Sequence, residues 1–221
     1  MIGFSQVTKR YSNGFEALKS VSFEVDEGEL VVLTGHSGAG KSTLLKLAAG
    51  IEHATSGSVV VAGQNLSRLK PQAVALLRRN IGLVFQDHKL LFDRNAFENV
   101  ALPLAITGYS RVDAARRVRA ALDKVGLLDR EKANPIQLSG GEQQRLCIAR
   151  AIVNRPAILI ADEPSGNLDA EYAVAIMDLF RSFNQVGATV IISTHDEALA
   201  ARYQPRRLHL DRGHLANGVA A

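Results

Sequence analysis

A glycine-rich run near the N-terminus has residue types and spacing suited to binding phosphate. Residues 35–43 read GHSGAGKST, directly after the apolar run LVVLT and before the apolar helical pattern LLKLAAG. They match G-x-x-x-x-G-K-S/T in the strand-to-helix context that makes the match meaningful. Glycines let successive N–H groups point inward, and a helix N-terminus adds positive potential. The run therefore predicts a phosphate-binding loop in which Lys41 supplies charge, Ser42 offers a hydroxyl to Mg²⁺ and Thr43 supports the same wall. The alternative is an ordinary glycine-rich turn before a helix.

Two adjacent carboxylates end the apolar run ILIADE at residues 158–163. The four apolar residues predict a buried parallel strand, and open α/β sheets bind ligands at the carboxyl ends of such strands. We therefore predict that Asp162 holds the Mg²⁺ shell and that Glu163 accepts a proton from an attacking water. His195 follows the apolar run ATVIIST at 188–194, which puts it within reach of the outer phosphate. The alternatives are a helix cap for the carboxylates and a capping or core role for the histidine.

A second candidate anion site begins at residues 138–145, which read LSGGEQQR. Ser139 and Glu142 have the spacing of a capping box, so a helix is predicted to start here. Gly140 and Gly141 leave the N–H groups of its first turn bare, and the helix dipole favours an anion there. One nucleotide does not need two helix N-termini from one subunit. We therefore predict a pair of chains, with each nucleotide held between the glycine loop of one chain and Ser139–Gly141 of the other.

The elements that position these residues follow an alternating pattern. Strand-like runs alternate with helical patterns, which predicts βα units around a largely parallel sheet. Buried strands are predicted at residues 30–35, 81–85, 157–162 and 188–194. Shorter alternating runs bounded by turn residues predict antiparallel hairpins at residues 2–9, 21–25 and 58–63. The fold class indicated is α/β, with a mostly parallel core and an antiparallel β subdomain.

The middle of the chain carries mostly helical signals. Ser110 followed by Asp113 has the pattern of a helix N-terminus, and Gly126 stands where that helix should stop. We interpret residues 87–156 as an α-helical subdomain inserted into a single domain. Residues 1–86 and 157–221 would then form the α/β core with its antiparallel sheet.

Composition excludes several classes of protein. With 221 residues and 47% hydrophobic content the chain can bury a full core. A single cysteine, Cys147, excludes an internal disulfide and a multi-cysteine zinc site. No apolar stretch approaches the roughly 18 residues of a membrane span, so we expect a cytoplasmic protein that reaches a membrane only through a partner. The net charge of +4 permits an acidic partner such as nucleotide, nucleic acid or lipid headgroups and chooses none.

These motifs together resemble one family. Tyr11, GHSGAGKST, Gln86, LSGGEQQR, ILIADEP, SGNLD at 165–169 and His195 occur in the order and approximate spacing of the ATP-binding cassette (ABC) ATPases. The resemblance covers essentially the whole chain. It implies a P-loop NTPase core, hydrolysis of ATP with Mg²⁺, and a homodimer with ATP at its interface.

The resemblance also implies a role for each matching position. Tyr11 would stack on adenine, Gln86 would sense Mg²⁺ and the partner, and His195 would be the switch histidine. The implied nucleotide-binding positions are Tyr11, Gly35, His36, Ser37, Gly38, Ala39, Gly40, Lys41, Ser42, Thr43, Ser139, Gly140, Gly141, Glu142 and Asp169. The implied catalytic positions are Lys41, Gln86, Glu163 and His195, and the implied metal positions are Ser42, Gln86 and Asp162.

Within the family, the segments FQDHKLLFDR at 85–94 and ENVALPL at 98–104 are similar to members that act in cell division. Asn95 and Ala96 depart slightly from that pattern. The resemblance implies an integral membrane partner docking near residues 86–94, through which ATP-driven closure regulates cell-wall hydrolases outside the membrane. Candidate groove walls are Leu90, Leu91 and Phe92, and a candidate polar rim is Asp87, His88, Lys89 and Arg94. Burial of the leucines within the subdomain is the alternative.

Three other functions remain open at this point. The chain could be the motor of a lipoprotein or macrolide exporter, which shares the ENVALPL type of segment. A nucleic-acid ATPase is less favoured, because such proteins usually carry a coiled coil or zinc modules between the two motifs. Arg111, Arg116, Arg117 and Arg119 could form a basic patch, but a solvated helix face is the favoured interpretation. A protein that binds ATP without hydrolysing it is disfavoured by Glu163.

Overall fold

Two β-sheets and the helices packed on them make up the described residues, 1–166 and 169–216 of the computed structural model. The strands are β1 (Ile2–Arg10), β2 (Glu16–Val25), β3 (Leu30–Thr34), β4 (Ser56–Val61), β5 (Gln64–Asn65), β6 (Ile81–Val84), β7 (Ile158–Asp162), β8 (Thr189–Ser193), β9 (Arg206–Asp211) and β10 (His214–Leu215). The helices are α1 (Lys41–Ala48), α2 (Pro71–Arg78), α3 (Ala96–Ile106), α4 (Arg111–Lys124), α5 (Gly140–Ile152), α6 (Ala170–Gln185) and α7 (Glu197–Ala201). Short 3-10 turns occur at Leu66–Arg68, Leu128–Arg130 and Pro135–Gln137.

The larger sheet is mostly parallel, as the apolar runs predict. Its strand order is β10-β9-β3-β8-β7-β6. Among the described strands of this larger sheet, β10 pairs with β9 in an antiparallel way and all other neighbours are parallel. The four predicted buried strands are confirmed as β3, β6, β7 and β8. Because β8 lies between β3 and β7, the loop after β3 and the carboxylates after β7 emerge at the same edge of the sheet.

Strands β3, β6, β7 and β8 of this sheet are covered on both faces, which explains their nearly continuous apolar runs, whereas β9 and β10 are only partly buried. Along β7, Ile158 and Ile160 pack in one hydrophobic cluster, which includes Leu44 of α1. Leu159 and Ala161 pack in the other cluster, with residues of α3, α4, α5 and α6. The two clusters therefore lie on opposite sides of one sheet, since successive strand residues face opposite ways. This confirms the predicted α/β fold.

The smaller sheet is antiparallel, as the alternating runs predict. Its order is β2-β1-β4-β5, and the rings of Phe4 and Phe23 stack on its buried face with centroids 4.6 Å apart. The buried side chains of this sheet share one cluster with α1. The turn between β1 and β2, which begins at Tyr11, is therefore held beside the helix that follows the glycine loop.

Helix caps define the region between β6 and β7. Asn95 caps α3 through a capping box with Glu98. This cap accounts for the presence of asparagine at position 95, where the sequence departs from the pattern of the cell-division members. Ser110 caps α4, which ends before Gly126, a residue with φ of 67°. Ser139 caps α5. The predicted helix signals at Ser110, Gly126 and Ser139 are thus confirmed, whereas the cap at Asn95 was not predicted and the subdomain boundaries at 86/87 and 156/157 stay a prediction. None of the helices in the described part of the chain is long and apolar enough to cross a membrane.

Candidate functional site

The glycine loop joins the end of β3 to the start of α1, and close packing requires its glycines. Gly35 and Gly40 have φ angles of 141° and 110°, which L side chains rarely adopt. A Cβ on Gly40 would lie 2.5 Å from the carbonyl oxygen of Ala17, and one on Gly35 would collide with the carbonyl oxygen of Leu210. The loop can therefore curl against the two sheets only with glycine at these positions, which leaves its N–H groups to the inside.

Lys41, the first residue of α1, is the buried cation of this loop. Its side chain is only 6% exposed, and Nζ donates hydrogen bonds to the carbonyl oxygens of Gly35 at 2.7 Å and His36 at 3.3 Å. Nζ also lies 3.3 Å from Oε1 of Glu163. The lysine is therefore held inside the loop, with its charge balanced by a carboxylate from another strand. The loop positions His36, Ser37 and Gly38 are exposed and Ala39 is buried.

Asp162 ends β7, and its orientation depends on the neighbouring strand. Ser193, the last residue of β8, donates a 2.7 Å hydrogen bond from Oγ to Oδ1 of Asp162. The same Oγ accepts a hydrogen bond of 2.9 Å from the backbone N–H of Glu163. Ser193 is fully buried. Through these two hydrogen bonds it holds both acidic residues in place.

Glu163 leaves the strand in a left-handed conformation, with φ of 47°. Such a backbone is strained for a residue other than glycine and persists only when neighbours hold it. Its two carboxylate oxygens contact different bases: Oε1 faces Lys41, and Oε2 lies 3.0 Å from Nδ1 of His195. The structure thus brings together a lysine, a glutamate and a histidine from the ends of three strands. The carboxylate is 18% exposed and His195 is 67% exposed, so the group opens to solvent on the histidine side.

Tyr11 lies beside the same loop. Its hydroxyl is 3.1 Å from Oγ1 of Thr43 and donates to Oε1 of Glu52 at 3.2 Å. Burial, with the nearby charge of Glu52, raises the pKa of the Tyr11 hydroxyl, so it stays a hydrogen-bond donor at neutral pH. The predicted base-stacking residue is therefore anchored to the helix that follows the phosphate loop.

Gln86 follows β6 after one residue and is exposed. The segment after it takes an unusual path, because His88 and Lys89 both have positive φ angles, 58° and 48°. Arg150 of α5 holds that path, since its guanidinium donates 2.7 Å hydrogen bonds to the carbonyl oxygens of both residues. Burial lowers the pKa of Arg150. Cys147 adds a contact of 3.1 Å from Sγ to the oxygen of His88.

The segment proposed as a docking surface is partly buried. Leu90 is 7% exposed and packs in the hydrophobic core, so its interpretation as a groove wall is wrong and the alternative of burial holds. Leu91 is half-buried, and its backbone pairs with the buried amide of Asn99. Phe92 is 59% exposed. A groove of about 380 Å³ opens next to this segment, lined among others by Phe85, Lys89, Leu102, Pro103, Ile106 and Arg150.

The helix start at Ser139 has its predicted capping box. The Ser139 N–H donates to Oε2 of Glu142 at 2.8 Å, and Ser139 Oγ accepts from the Glu142 N–H at 3.3 Å. The Ser139 N–H lowers the pKa of the Glu142 carboxyl, so it is ionised. Gly140 is exposed, and a Cβ there would meet nothing within 4 Å. Across residues 1–166 and 169–216, no hydrogen bond or ion pair joins residues 139–142 to the glycine loop.

Asp169 caps α6, because its Oδ1 accepts a hydrogen bond of 3.1 Å from the N–H of Tyr172. It is the last residue of the SGNLD motif. Two residues of that motif, Asn167 and Leu168, lie outside the described residues.

The candidate metal ligands are oxygen atoms, which suit a cation such as Mg²⁺ that also binds phosphate. No group of three or more His, Cys, Asp or Glu side chains that could hold a metal occurs in the described part of the chain. The candidate donors are the hydroxyl of Ser42 in α1, the carboxylate of Asp162 at the end of β7 and the amide of Gln86, an exposed residue shortly after β6. Mg²⁺ takes oxygen ligands and is usually held by one or two carboxylates together with substrate phosphates and waters. These residues therefore fit Mg²⁺ bound with a nucleotide.

Sequence reasoning missed three residues that shape this site. Ser193 could have been found, because it is a hydroxyl residue at the end of an otherwise apolar strand beside the carboxylates. Glu52 and Arg150 gave no such signal. Their partners, Tyr11 and residues 88–89, are 41 and about 61 positions away in the chain, and only the folded structure brings them together.

Comparison with known proteins agrees with this geometry. The sequence model of the family described as ABC transporter matches residues 18–166. The chain is 56% identical over 219 residues to the cell division ATP-binding protein FtsE of Escherichia coli strain K12, covering 99% of each protein. It is 49% identical over 216 residues to FtsE of Haemophilus influenzae, covering 97% of this chain and 99% of that protein.

A solved structure gives the same result for the fold. The dimeric post-hydrolysis structure of the ATP-binding cassette MJ0796 bound to ADP and Pi matches with a TM-score of 0.92 at 36% identity. The match covers 98% of this chain and 97% of that one. The predicted family resemblance is confirmed. The chain therefore belongs to the ABC transporter family, as a P-loop ATPase that is similar over its full length to the cell-division ATP-binding proteins.

Proposed function

We propose that this protein is the cytoplasmic ATPase subunit of an FtsEX-like membrane complex in cell division. Two copies would close on two ATP molecules and reopen after hydrolysis. An FtsX-like integral membrane protein would transmit that motion across the membrane and so regulate cell-wall hydrolases. The observation that carries the proposal is the 56% identity over 99% of the chain to an FtsE protein, together with the site geometry.

The residues of the site can supply the chemistry of hydrolysis. The N–H groups of the glycine loop and the Lys41 ammonium bind the β- and γ-phosphates of ATP. Glu163 accepts a proton from the attacking water while the water oxygen bonds to the γ-phosphorus. The bond from that phosphorus to the bridging oxygen breaks, and ADP leaves. His195 contacts Glu163 at 3.0 Å and orients it.

Lys41 and Glu163 have to separate for this reaction. Their charges lie 3.3 Å apart, and a γ-phosphate bound by Lys41 competes with Glu163 for the ammonium. Phosphate binding thus frees one carboxylate oxygen of Glu163 to accept a hydrogen bond from water. His195 still holds the other oxygen, so the carboxylate keeps its direction.

Mg²⁺ would be held by Ser42, Asp162 and Gln86. When bound with ATP, it neutralises charge on the β- and γ-phosphate oxygens. Ser193 keeps Asp162 directed toward this position through its 2.7 Å hydrogen bond.

The second half of each site would come from a second copy of the chain. Ser139, Gly140 and Gly141 present an open helix N-terminus that makes no hydrogen bond or ion pair with the glycine loop within the described residues. The matching MJ0796 structures are dimeric, which supports this arrangement. Asp169 would meet the partner copy beside the same interface.

The membrane partner would dock in the groove next to Gln86. Phe85 and Lys89 line that groove and flank Gln86 in the chain. Ile106 contributes an apolar wall and is 60% exposed. A helix seated there would touch the same short segment that contacts the nucleotide, so it could sense the state of the site. Phe92 remains a candidate groove wall, and Arg94 remains a candidate for the polar rim.

Purification from membranes tests this proposal. The tagged protein, isolated with Glu163→Gln to hold ATP, should retain an FtsX-like protein, and Ile106→Asp should abolish that retention. Ile136→Asp is the matched control, because Ile136 is 79% exposed and does not line the groove. Retention of a larger substrate-conducting exporter instead would establish the transporter alternative. Unchanged retention in Ile106→Asp would rule out the groove as the docking site, and equal loss with both aspartate variants would mean that the loss is not specific to the groove.

A further inference from the structure

Glu52 lies in the turn after α1, and its carboxylate contacts the side chains of Tyr11, Lys9 and, at 3.9 Å, Lys46 of α1. Oε1 is 3.2 Å from the hydroxyl of Tyr11, and Oε2 is 3.2 Å from Nζ of Lys9. The Glu52 side chain is only 21% exposed. Burying a carboxylate removes it from water, which costs free energy. The charge of Glu52 therefore depends on the side chains that contact it.

Lys9 connects the same carboxylate to the ring of Tyr11. Its Nζ lies 5.1 Å from the centre of that ring and donates a 2.9 Å hydrogen bond to the carbonyl oxygen of His53. The lysine side chain is 15% exposed. A cation over one face of an aromatic ring is favourable, and it leaves the opposite face free for a flat ligand.

Helix α1 holds the Tyr11 hydroxyl from both of its ends. Thr43, in the first turn of α1, lies 3.1 Å from the hydroxyl, and Glu52 follows the last turn. The same helix begins with Lys41 of the phosphate loop. The position of the ring is therefore tied to the position of the phosphate-binding residues through one rigid element.

We propose that Glu52 is a positioning residue for the base end of the nucleotide. It holds the Tyr11 hydroxyl, with Lys9 as its counter-ion, so that the free face of the ring is directed to the purine before ATP arrives. This inference rests on the proposed function, in which Tyr11 stacks on adenine. A side chain that is already fixed loses no conformational entropy when ATP binds. This should strengthen ATP binding roughly 3- to 10-fold.

The test compares ATP with inorganic tripolyphosphate, which has the phosphates and lacks the base. Dissociation constants are measured by calorimetry with Mg²⁺ for the wild type, Glu52→Ala, Glu52→Gln, Tyr11→Phe and Tyr11→Ala. Glu52→Ala and Tyr11→Phe should each weaken ATP about 3- to 10-fold and leave tripolyphosphate unchanged. Glu52→Gln keeps a hydrogen-bond acceptor and loses the charge that pairs with Lys9, so its loss should be smaller. This variant also provides the answer if the alanine variant does not fold.

A double variant separates positioning from general destabilisation. Tyr11→Phe combined with Glu52→Ala should weaken ATP no more than either change alone, because both remove the same hydrogen bond. Glu29→Ala is the matched control: Glu29 is 22% exposed and paired with Arg206, and its loss should leave ATP affinity unchanged.

Two outcomes would overturn the inference. One is an equal loss of ATP and tripolyphosphate affinity in Glu52→Ala, which would assign Glu52 to the phosphate loop. The other is unchanged ATP affinity in that variant while Tyr11→Ala weakens ATP. If Tyr11→Ala also leaves ATP affinity unchanged, the base-stacking role in the proposed function fails as well, so the two failures are distinguishable.

Discussion

The two candidate nucleotide-binding ends of this chain differ in how complete they are. At the glycine loop, the functional side chains already contact one another: Lys41 lies 3.3 Å from Glu163, and His195 lies 3.0 Å from the same carboxylate. At the start of α5, the side chains of Ser139 and Glu142 each accept a hydrogen bond from the backbone N–H of the other, and within residues 1–166 and 169–216 their one further side-chain partner is Arg130. The first end is a set of residues assembled by three strands, and the second is a helix terminus open to solvent.

The difference shows which part of the site one chain can build. Strand ends of one parallel sheet meet at one edge, so the loop, the carboxylates and the histidine converge within a single fold. The start of α5 belongs to a region packed on the other side of that sheet. In the proposed dimer it would contribute to catalysis when the other copy brings ATP to it. Four predictions test this contrast.

Glu163→Gln should have the largest effect. We expect turnover to fall on the order of 10²-fold or more, because the amide cannot accept the proton of the attacking water. Phosphate release measures turnover, and light scattering at saturating ATP should show a trapped dimer. Unchanged hydrolysis would remove Glu163 from its role, and a monomer at saturating ATP would count against the shared site.

Gly140→Asp should lower turnover by about 10²-fold, because a carboxylate would face the phosphates that the other chain presents. The chain itself should fold normally, since a Cβ here meets nothing within 4 Å and acid in a first turn favours the helix dipole. Affinity of the monomer for ATP should be unchanged. Val112→Asp, in the first turn of α4 at an 82% exposed position, is the matched control and should keep full turnover. Full turnover in Gly140→Asp would show that one chain forms the whole site.

Ser193→Ala should have an intermediate effect within the assembled end. It removes the hydrogen bond to Asp162 and one of the two acceptors of the Glu163 N–H, which also donates to the backbone oxygen of Ser193, and we expect the unfolding free energy to fall by about 1–3 kcal/mol. Turnover should fall several-fold with a raised Mg²⁺ requirement, whereas Ser182→Ala, which loses one hydrogen bond in α6, should keep the wild-type requirement. Denaturant melts and Mg²⁺ titrations measure the two effects. An unchanged Mg²⁺ requirement would limit Ser193 to stability.

Cys147 should give the smallest change. Burial raises the pKa of Cys147 from its usual value of 9.0 to about 12. The thiolate is the reactive form, so at pH 8 the folded protein should hold about a thousandfold less of it than an exposed cysteine. Iodoacetamide should leave the native protein unmodified, with turnover intact, and should label it in denaturant. Mass spectrometry measures the labelling, and rapid labelling of the native chain would mean that α5 opens away from His88.

Local sequence signals predicted the helix starts correctly. The caps at Ser110 and Ser139 depend on contacts between residues three apart, which the sequence itself specifies. Four buried strands were predicted because a parallel sheet covered on both faces demands continuous apolar runs. Strands β9 and β10 and helix α2 were not predicted, because they are only partly buried and exposed polar residues interrupt their apolar pattern.

Predictions for residues 86–94 were less accurate. The leucines Leu90 and Leu91 look alike in sequence, yet Leu90 is in the core and Leu91 is half-buried. The path of this segment depends on two residues with positive φ, held by Arg150 from a distant helix. A long-range contact therefore decides which side chain faces outward, and no local pattern reports it.

The sequence alone determined the family, the phosphate loop, the acidic strand end and the second helix start, because each is a short motif whose chemistry depends on neighbouring residues. Only the tertiary structure decided which of these groups touch. It joined Lys41, Glu163 and His195, it tied Tyr11 to α1 through Glu52, and it left Gly140 open. The physical reason is that contacts between distant residues depend on how strands and helices pack, whereas caps and loops depend on the residues beside them.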